Sequence, residues 1–197
     1  MGGISFICVD FQKEFTSPGG AFYRRRPMRR FLKKTLFPFL LKKKKKVNEI
    51  VADYRKPRFG DRTPSCVPGT EGFISELPDT LRKSLWVKAM NSPVWTRKNA
   101  GTVKKTSWPY VSDRKFTKWL KKNLSPHKNC VVFGLTLDKC LFCTVQELYF
   151  RGYRVKILSE GTDTFSGSQK EKKMLFKIFA ITNWAGLLTF RELKKCI

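Results

Sequence analysis

The chain opens on a short, nearly unbroken apolar run, Ile4-Ser5-Phe6-Ile7-Cys8-Val9, that stops at Asp10. A run of this length and density fits a strand covered on both faces, the usual condition inside a parallel sheet. Residues 129–135 (NCVVFGL) and 153–158 repeat the pattern. Residues 48–54 predict a further strand, with Ile50 and Ala52 on one face and Val51 and Asp53 on the other. Between these runs the period turns helical. Residues 28–46 bring Met28, Phe31, Leu32, Leu36, Phe39 and Leu40 to one side, and Pro38 is expected to kink or split that helix. Residues 113–124 form a helix capped by Asp113, with Phe116, Trp119 and Leu120 sharing a face. A helix over 141–150 ends at Gly152, and another covers 171–179. Residues 80–83 read as a helical turn, 192–195 as a terminal turn, 102–103 as the end of a short strand, and 55–72 as loop. Strands that alternate with helices predict an α/β fold: three layers, α/β/α, around a mainly parallel central sheet. At 197 residues the chain fits one domain, 1–197.

Charge adds a partner question. Lys and Arg total 41 against 15 Asp and Glu, a net +26. Twelve of the cations, and no acid, fall in the block 24–46. Such a balance makes nucleic acid or an anionic membrane the first partners to weigh. The longest candidate for insertion, residues 35–41, is far short of the roughly 20 residues a span requires, so no membrane partner is expected. The N-terminus lacks the basic and hydrophobic regions of a secretory signal. Together with six cysteines and a core large enough to need no staples, this predicts a reduced, cytoplasmic protein. His127 is the only histidine, and Cys140-x-x-Cys143 is half of a four-cysteine zinc site with no second half. No metal and no cofactor are expected.

In open α/β sheets, function gathers at the carboxyl ends of the strands. Asp10 directly follows the first strand. Cys140 follows the 129–135 strand after a short turn and opens a helix. The free N–H groups and positive dipole end of a helix start favour a thiolate there. Cys143, one turn later, has the spacing of a redox partner, but a small buried side chain is the preferred reading.

These residues resemble the isochorismatase-like cysteine hydrolases, which include nicotinamidases and N-carbamoylsarcosine amidase. The resemblance rests on Val9-Asp10-Phe11-Gln12-Lys13-Glu14-Phe15, like V-D-x-Q-x-x-F; on Thr102-Val103-Lys104-Lys105, like a strand-end V-x-K; and on VFGLTLDKCLFCTVQELYFRGY from Val132 to Tyr153. Pro68-Gly69-Thr70-Glu71-Gly72 adds a weaker match to a P-G-T-x-G loop. The resemblance implies the isochorismatase-like hydrolase fold and a metal-independent cysteine hydrolase acting on a small amide or related C–N substrate. It implies Cys140 as nucleophile, Asp10 as general base and then acid, and Lys105 as the cation between them. It further implies an oxyanion site of the Thr136 and Cys140 backbone N–H groups, with a cis peptide at Leu135–Thr136. Phe15, Trp108 and Tyr110 are candidate pocket walls. Trp108-Pro109-Tyr110 departs from the family's frequent Ser-Ala-Phe, and Lys139 stands where an apolar residue is usual. Nicotinamidases hold a metal through an Asp and two histidines after the second strand. The matching loop, 53–66, has no histidine.

The implied partner is a small molecule, and the surplus charge would draw anionic ones. A homo-oligomer is compatible with the family, with the apolar stretch 90–95 as a candidate interface. Two rival readings remain: a basic nucleic-acid-binding protein using 24–46, with Phe31, Phe37 and Phe39 for stacking, and a catalytically silent family scaffold. Those aromatics fall on the face the helix must bury, so a solvated basic face on an enzyme is preferred.

Overall fold

Alternate side chains of the first strand divide between two cores. Phe6 and Cys8 enter one, Ile7 and Val9 the other, and all four are buried. Val131 and Phe133 against Cys130 and Val132 do the same on the strand paired beside it. This period of two is what a strand sandwiched between helical layers requires. The computed structural model describes residues 3–58, 60–94, 112–127, 129–178 and 181–197.

Among the described residues six strands form one sheet: β1 (Ile4–Val9), β2 (Val47–Ala52), β3 (Arg82–Lys88), β4 (Asn129–Leu135), β5 (Arg154–Asp163) and β6 (Gly186–Leu188). Their order is β3-β2-β1-β4-β5-β6, and every pairing is parallel. One face is covered by α2 (Pro27–Phe31) and α3 (Phe37–Lys42), and by the last helix, α8 (Phe190–Cys196). The other is covered by α4 (Asp113–Asn123) and α5 (Cys140–Phe150), with α6 (Gln169–Ile178) and α7 (Ile181–Trp184) beside them. One turn, α1 (Lys13–Thr16), follows β1. The expected three-layer α/β/α architecture is therefore present.

Pro38 leaves its helix disturbed but continuous: a π-helical segment, Leu32–Leu36, links α2 to α3 just before it, the local irregularity expected of a proline that removes one donor. One expectation needs correction: of residues 80–83, expected in a helical turn, 80 and 81 lie in a turn but 82 and 83 open an edge strand, 82–88. Their burial is mixed, as befits an edge, so the run lacks the dense apolar signal of β1 or β4.

The chain runs outward from β1 to β3, then returns to build β4 to β6 on the other side. That reversal places a topological switch between β1 and β4, where α/β sheets open a crevice at the carboxyl ends. The two strands meet closely there. A Cβ on Gly134 would lie 2.1 Å from the Val9 carbonyl oxygen, and its φ of +114° suits glycine alone.

Candidate active site

Asp10 leaves β1 with φ at +47°, which turns its carboxylate across the strand ends. Gln12 locks that turn. Its Nε2 donates to the carbonyls of Ala52 (3.0 Å) and Phe73 (3.1 Å), and its Oε1 accepts from Ala52 N (2.8 Å). The end of β1 is thereby tied to the end of β2.

Lys88, the last residue of β3, stands two strands away from β1, about 10 Å at ordinary strand spacing. Its long side chain crosses that gap, and its Nζ lies 2.9 Å from Asp10 Oδ2, with both side chains fully buried. Asp10 Oδ1 accepts no hydrogen bond among the described residues. Burial works against the Lys88 ammonium, but Asp10 and Cys140 facing it outweigh that and raise its pKa above the ordinary lysine value.

Tyr54 completes the line. It is pinned beyond β2 by reciprocal backbone bonds to Ser65 (3.1 and 3.2 Å), and the Arg58 guanidinium lies 3.7 Å over its ring. Lys88 Nζ donates to Tyr54 Oη at 2.6 Å. The phenol hydrogen is then free to point at Cys140 Sγ, 3.3 Å away. Asn91 Oδ1 lies 3.5 Å from the same sulfur and accepts from Arg58 Nη1 at 2.6 Å. Burial pushes the Cys140 thiol up to about 11; Lys88, the Tyr54 hydroxyl and Arg58 pull it down, and Asp10 opposes them. The sequence suggested a thiolate favoured by the helix start. Desolvation wins instead, because the sulfur is enclosed.

Cys140 is the first residue of α5, so its backbone N–H belongs to the unsatisfied group at a helix start. The turn before it is fixed: Thr136 O accepts from Lys139 N (3.0 Å) and Leu141 N (3.1 Å), and Leu137 N donates to Asp163 O (2.9 Å). The Leu135–Thr136 peptide is cis.

The structure thus brings Asp10, Thr136 and Cys140 to one edge. Lys105, Trp108 and Tyr110 lie outside the described residues, and the cation placed against Asp10 is Lys88. Phe15 is buried, stacked on Phe22 at a centroid distance of 5.3 Å, and lines a cleft on the α2 side. Lys139 turns away from the thiol, its Nζ 3.7 Å over the Phe165 ring. Cys143 is a free thiol. Residues 90–94 fold inward: Met90 O accepts from Lys88 (3.0 Å), and Ser92 Oγ donates to Glu147 (3.3 Å). Sequence reasoning missed Lys88, Tyr54 and Asn91. The available signal was Leu85-Trp86-Val87-Lys88, an apolar run ending in lysine.

Solved structures share this fold. The fold is that of the isochorismatase-like hydrolases. An isochorismatase-like hydrolase from Alkaliphilus metalliredigens superposes with a TM-score of 0.71 at 16% identity, over 98% of each chain. The pyrazinamidase of Pyrococcus horikoshii in complex with zinc gives 0.66 at 17% identity, over 95% of this chain and 99% of that one. N-carbamoylsarcosine amidase from Thermoplasma acidophilum gives 0.62 at 16% identity, over 94% and 95%. No family model matches the sequence, and no curated protein matches it significantly.

Zinc in the pyrazinamidase structure raises the question of a metal here. The residues after β2 do not fit one. Both oxygens of the buried Asp53 carboxylate are engaged by Arg55, at 3.0, 3.1 and 2.6 Å. Among the described residues no group of three His, Cys, Asp or Glu side chains is placed to hold a metal ion. No described helix is long and apolar enough to cross a membrane.

Proposed function

We propose that the protein is a cysteine-dependent, metal-independent hydrolase of a small amide or related C–N substrate. The observation that carries this reading is the buried line Asp10–Lys88–Tyr54–Cys140 at the switch point of the sheet. In this reading Lys88, rather than Lys105, is the cation of the site.

A thiol with a pKa near 11 is protonated at neutral pH, so attack needs a base. Asp10 supplies it through Oδ1, the oxygen that is not ion-paired with Lys88. As the proton moves to Asp10, the sulfur attacks the carbonyl carbon. The tetrahedral oxyanion is met by the N–H groups of Thr136 and Cys140. The C–N bond then breaks, and the leaving amine takes the proton from Asp10, leaving a thioester on Cys140. Water, deprotonated by Asp10, attacks the thioester; the acid product leaves and the thiol is restored. Lys88 neutralises Asp10 in its charged states. Tyr54 is a positioning residue that holds the ammonium and donates to the sulfur as it becomes negative.

Ammonia release across a panel of amides and ureido acids, with intact-mass trapping of the thioester, tests the reading. A mass increase on the wild type that Cys140→Ala abolishes supports it. Turnover by Cys140→Ala at the wild-type rate overturns it.

A further inference from the structure

We propose that the basic block 24–46 binds single-stranded nucleic acid, with phosphates following the exposed side of α2 and α3 and one nucleotide seated in a cleft at the carboxyl end of the sheet. That cleft has a volume of about 380 Å³. Phe15, Met28 and Leu135 form its floor, Tyr23 stands on its wall, and no carboxylate lines it. Its volume suits one nucleotide-sized group. The half-buried Tyr23 ring offers a stacking surface.

The cations around the cleft differ in how they are used. Arg26 is buried and spent on structure, donating to the carbonyls of Phe15 and Phe165 at 2.7 Å each. Arg29 and Lys33 are both paired with Glu76. Arg24, Arg25, Arg30 and Lys34 are exposed and enter no ion pair among the described residues. The fold engages three of these cations, with one carboxylate among their partners, and leaves the other four facing water around a concave hole.

The charge continues beyond the cleft. No acid occurs between Glu14 and Glu49. The helical stretch 27–42 runs about 24 Å at 1.5 Å per residue. At its far end Lys44, Lys45 and Lys46 join Lys83 in a second groove of about 300 Å³. A track of this length exceeds what one phosphate group can occupy and suits a polymer of phosphates.

The fold argues against an anionic membrane as the partner. A membrane-seated helix needs a free apolar face. Here Met28, Leu32, Leu36 and Leu40 are fully buried against the sheet, and Leu41 is the only large apolar side chain strongly exposed in the block. Phe31 and Phe39 are packed on Phe190, at 5.4 and 5.2 Å, so they are not the stacking platform. A duplex could rest on the helix but not enter the cleft. The exposed cations of the track lie on the α2 face of the sheet and Cys140 on the α5 face, while Leu135 in the cleft floor adjoins Thr136 of the proposed oxyanion site.

Fluorescence anisotropy with a labelled oligothymidylate tests this. The intact protein is compared with R24Q/R25Q/R30Q/K34Q and with K115Q/K118Q/K121Q/K122Q, which removes equal charge from exposed positions of α4. The first variant is expected to lose at least about tenfold in affinity, and its log Kd–log salt slope to flatten by about 3, while the α4 variant changes by less than about threefold. Both should keep the wild-type melting temperature. Should the quadruple variant melt early, R25Q/K34Q is expected to show about half that slope change. Equal losses in the two quadruple variants, tighter binding to a duplex of equal phosphate count, preferential binding to phosphatidylserine vesicles, or no binding at low salt would each overturn the proposal.

Discussion

Lys88 Nζ lies 2.9 Å from Asp10 Oδ2, and neither side chain has any exposed surface. Lys88 ends β3 and Asp10 directly follows β1, with β2 between them. A buried pair of this kind adds little net stability when intact, but removing one partner strands the other's charge.

Lys88→Met is therefore expected to cost about 3–5 kcal/mol of folding stability as well as activity. The double variant Asp10→Asn/Lys88→Met should recover a large part of the stability and none of the activity. Urea denaturation of the two variants checks the first statement, and ammonia release the second.

Tyr54→Phe removes one hydroxyl and keeps the ring under Arg58. The sulfur then loses the donor that favours its charged form, and Lys88 loses an acceptor at 2.6 Å. The expected result is roughly a tenfold fall in kcat, the scale of one hydrogen bond to a charged group, with KM little changed. Alkylation of Cys140 by iodoacetamide should also shift to higher pH. An unchanged alkylation profile would remove Tyr54 from the site.

The thiol itself makes stability depend on pH. Burial raises the Cys140 pKa from 9.0 to about 11, so the folded state favours the neutral form. The associated stability is complete below pH 9 and disappears as pH rises through 11. Against Cys140→Ala, the wild type should lose about 3 kcal/mol more between those limits, measured by denaturant unfolding.

Gly134→Ala should be among the most damaging single substitutions in the sheet. The added methyl carbon would sit 2.1 Å from Val9 O, on backbone that disfavours any side chain. A loss of about 4 kcal/mol or more is expected, read from thermal or urea unfolding.

If Arg55 serves Asp53 in place of a metal, chelation should leave hydrolysis untouched. Activity after exhaustive treatment with EDTA is expected to equal that before it. Elemental analysis of the active protein should show substoichiometric zinc.

Much of this molecule is visible in its residue pattern. The apolar runs of β1 and β4 mark both strands to the residue, because strands covered on both faces admit few polar side chains. Asp10 and Cys140 follow from those strands, since each lies just past a strand end. β3 escapes the same reading because it is an edge strand with exposed Lys83 and Leu85. With β3 missing, Lys88 had no strand end to belong to, and a V-x-K match drew attention to Lys105.

By itself, then, the sequence determined the layering, the strand ends that carry chemistry, and a surplus of charge gathered in one block. The tertiary structure decided which lysine meets Asp10, that Tyr54 joins it to Cys140, and that the thiol rests protonated. It also decided which arginines are spent on carbonyls and Glu76 and which remain facing water. The physical reason is shared. Local pattern encodes which faces are buried, whereas ion pairing and desolvation depend on which strands become neighbours and on how completely the assembled layers exclude water.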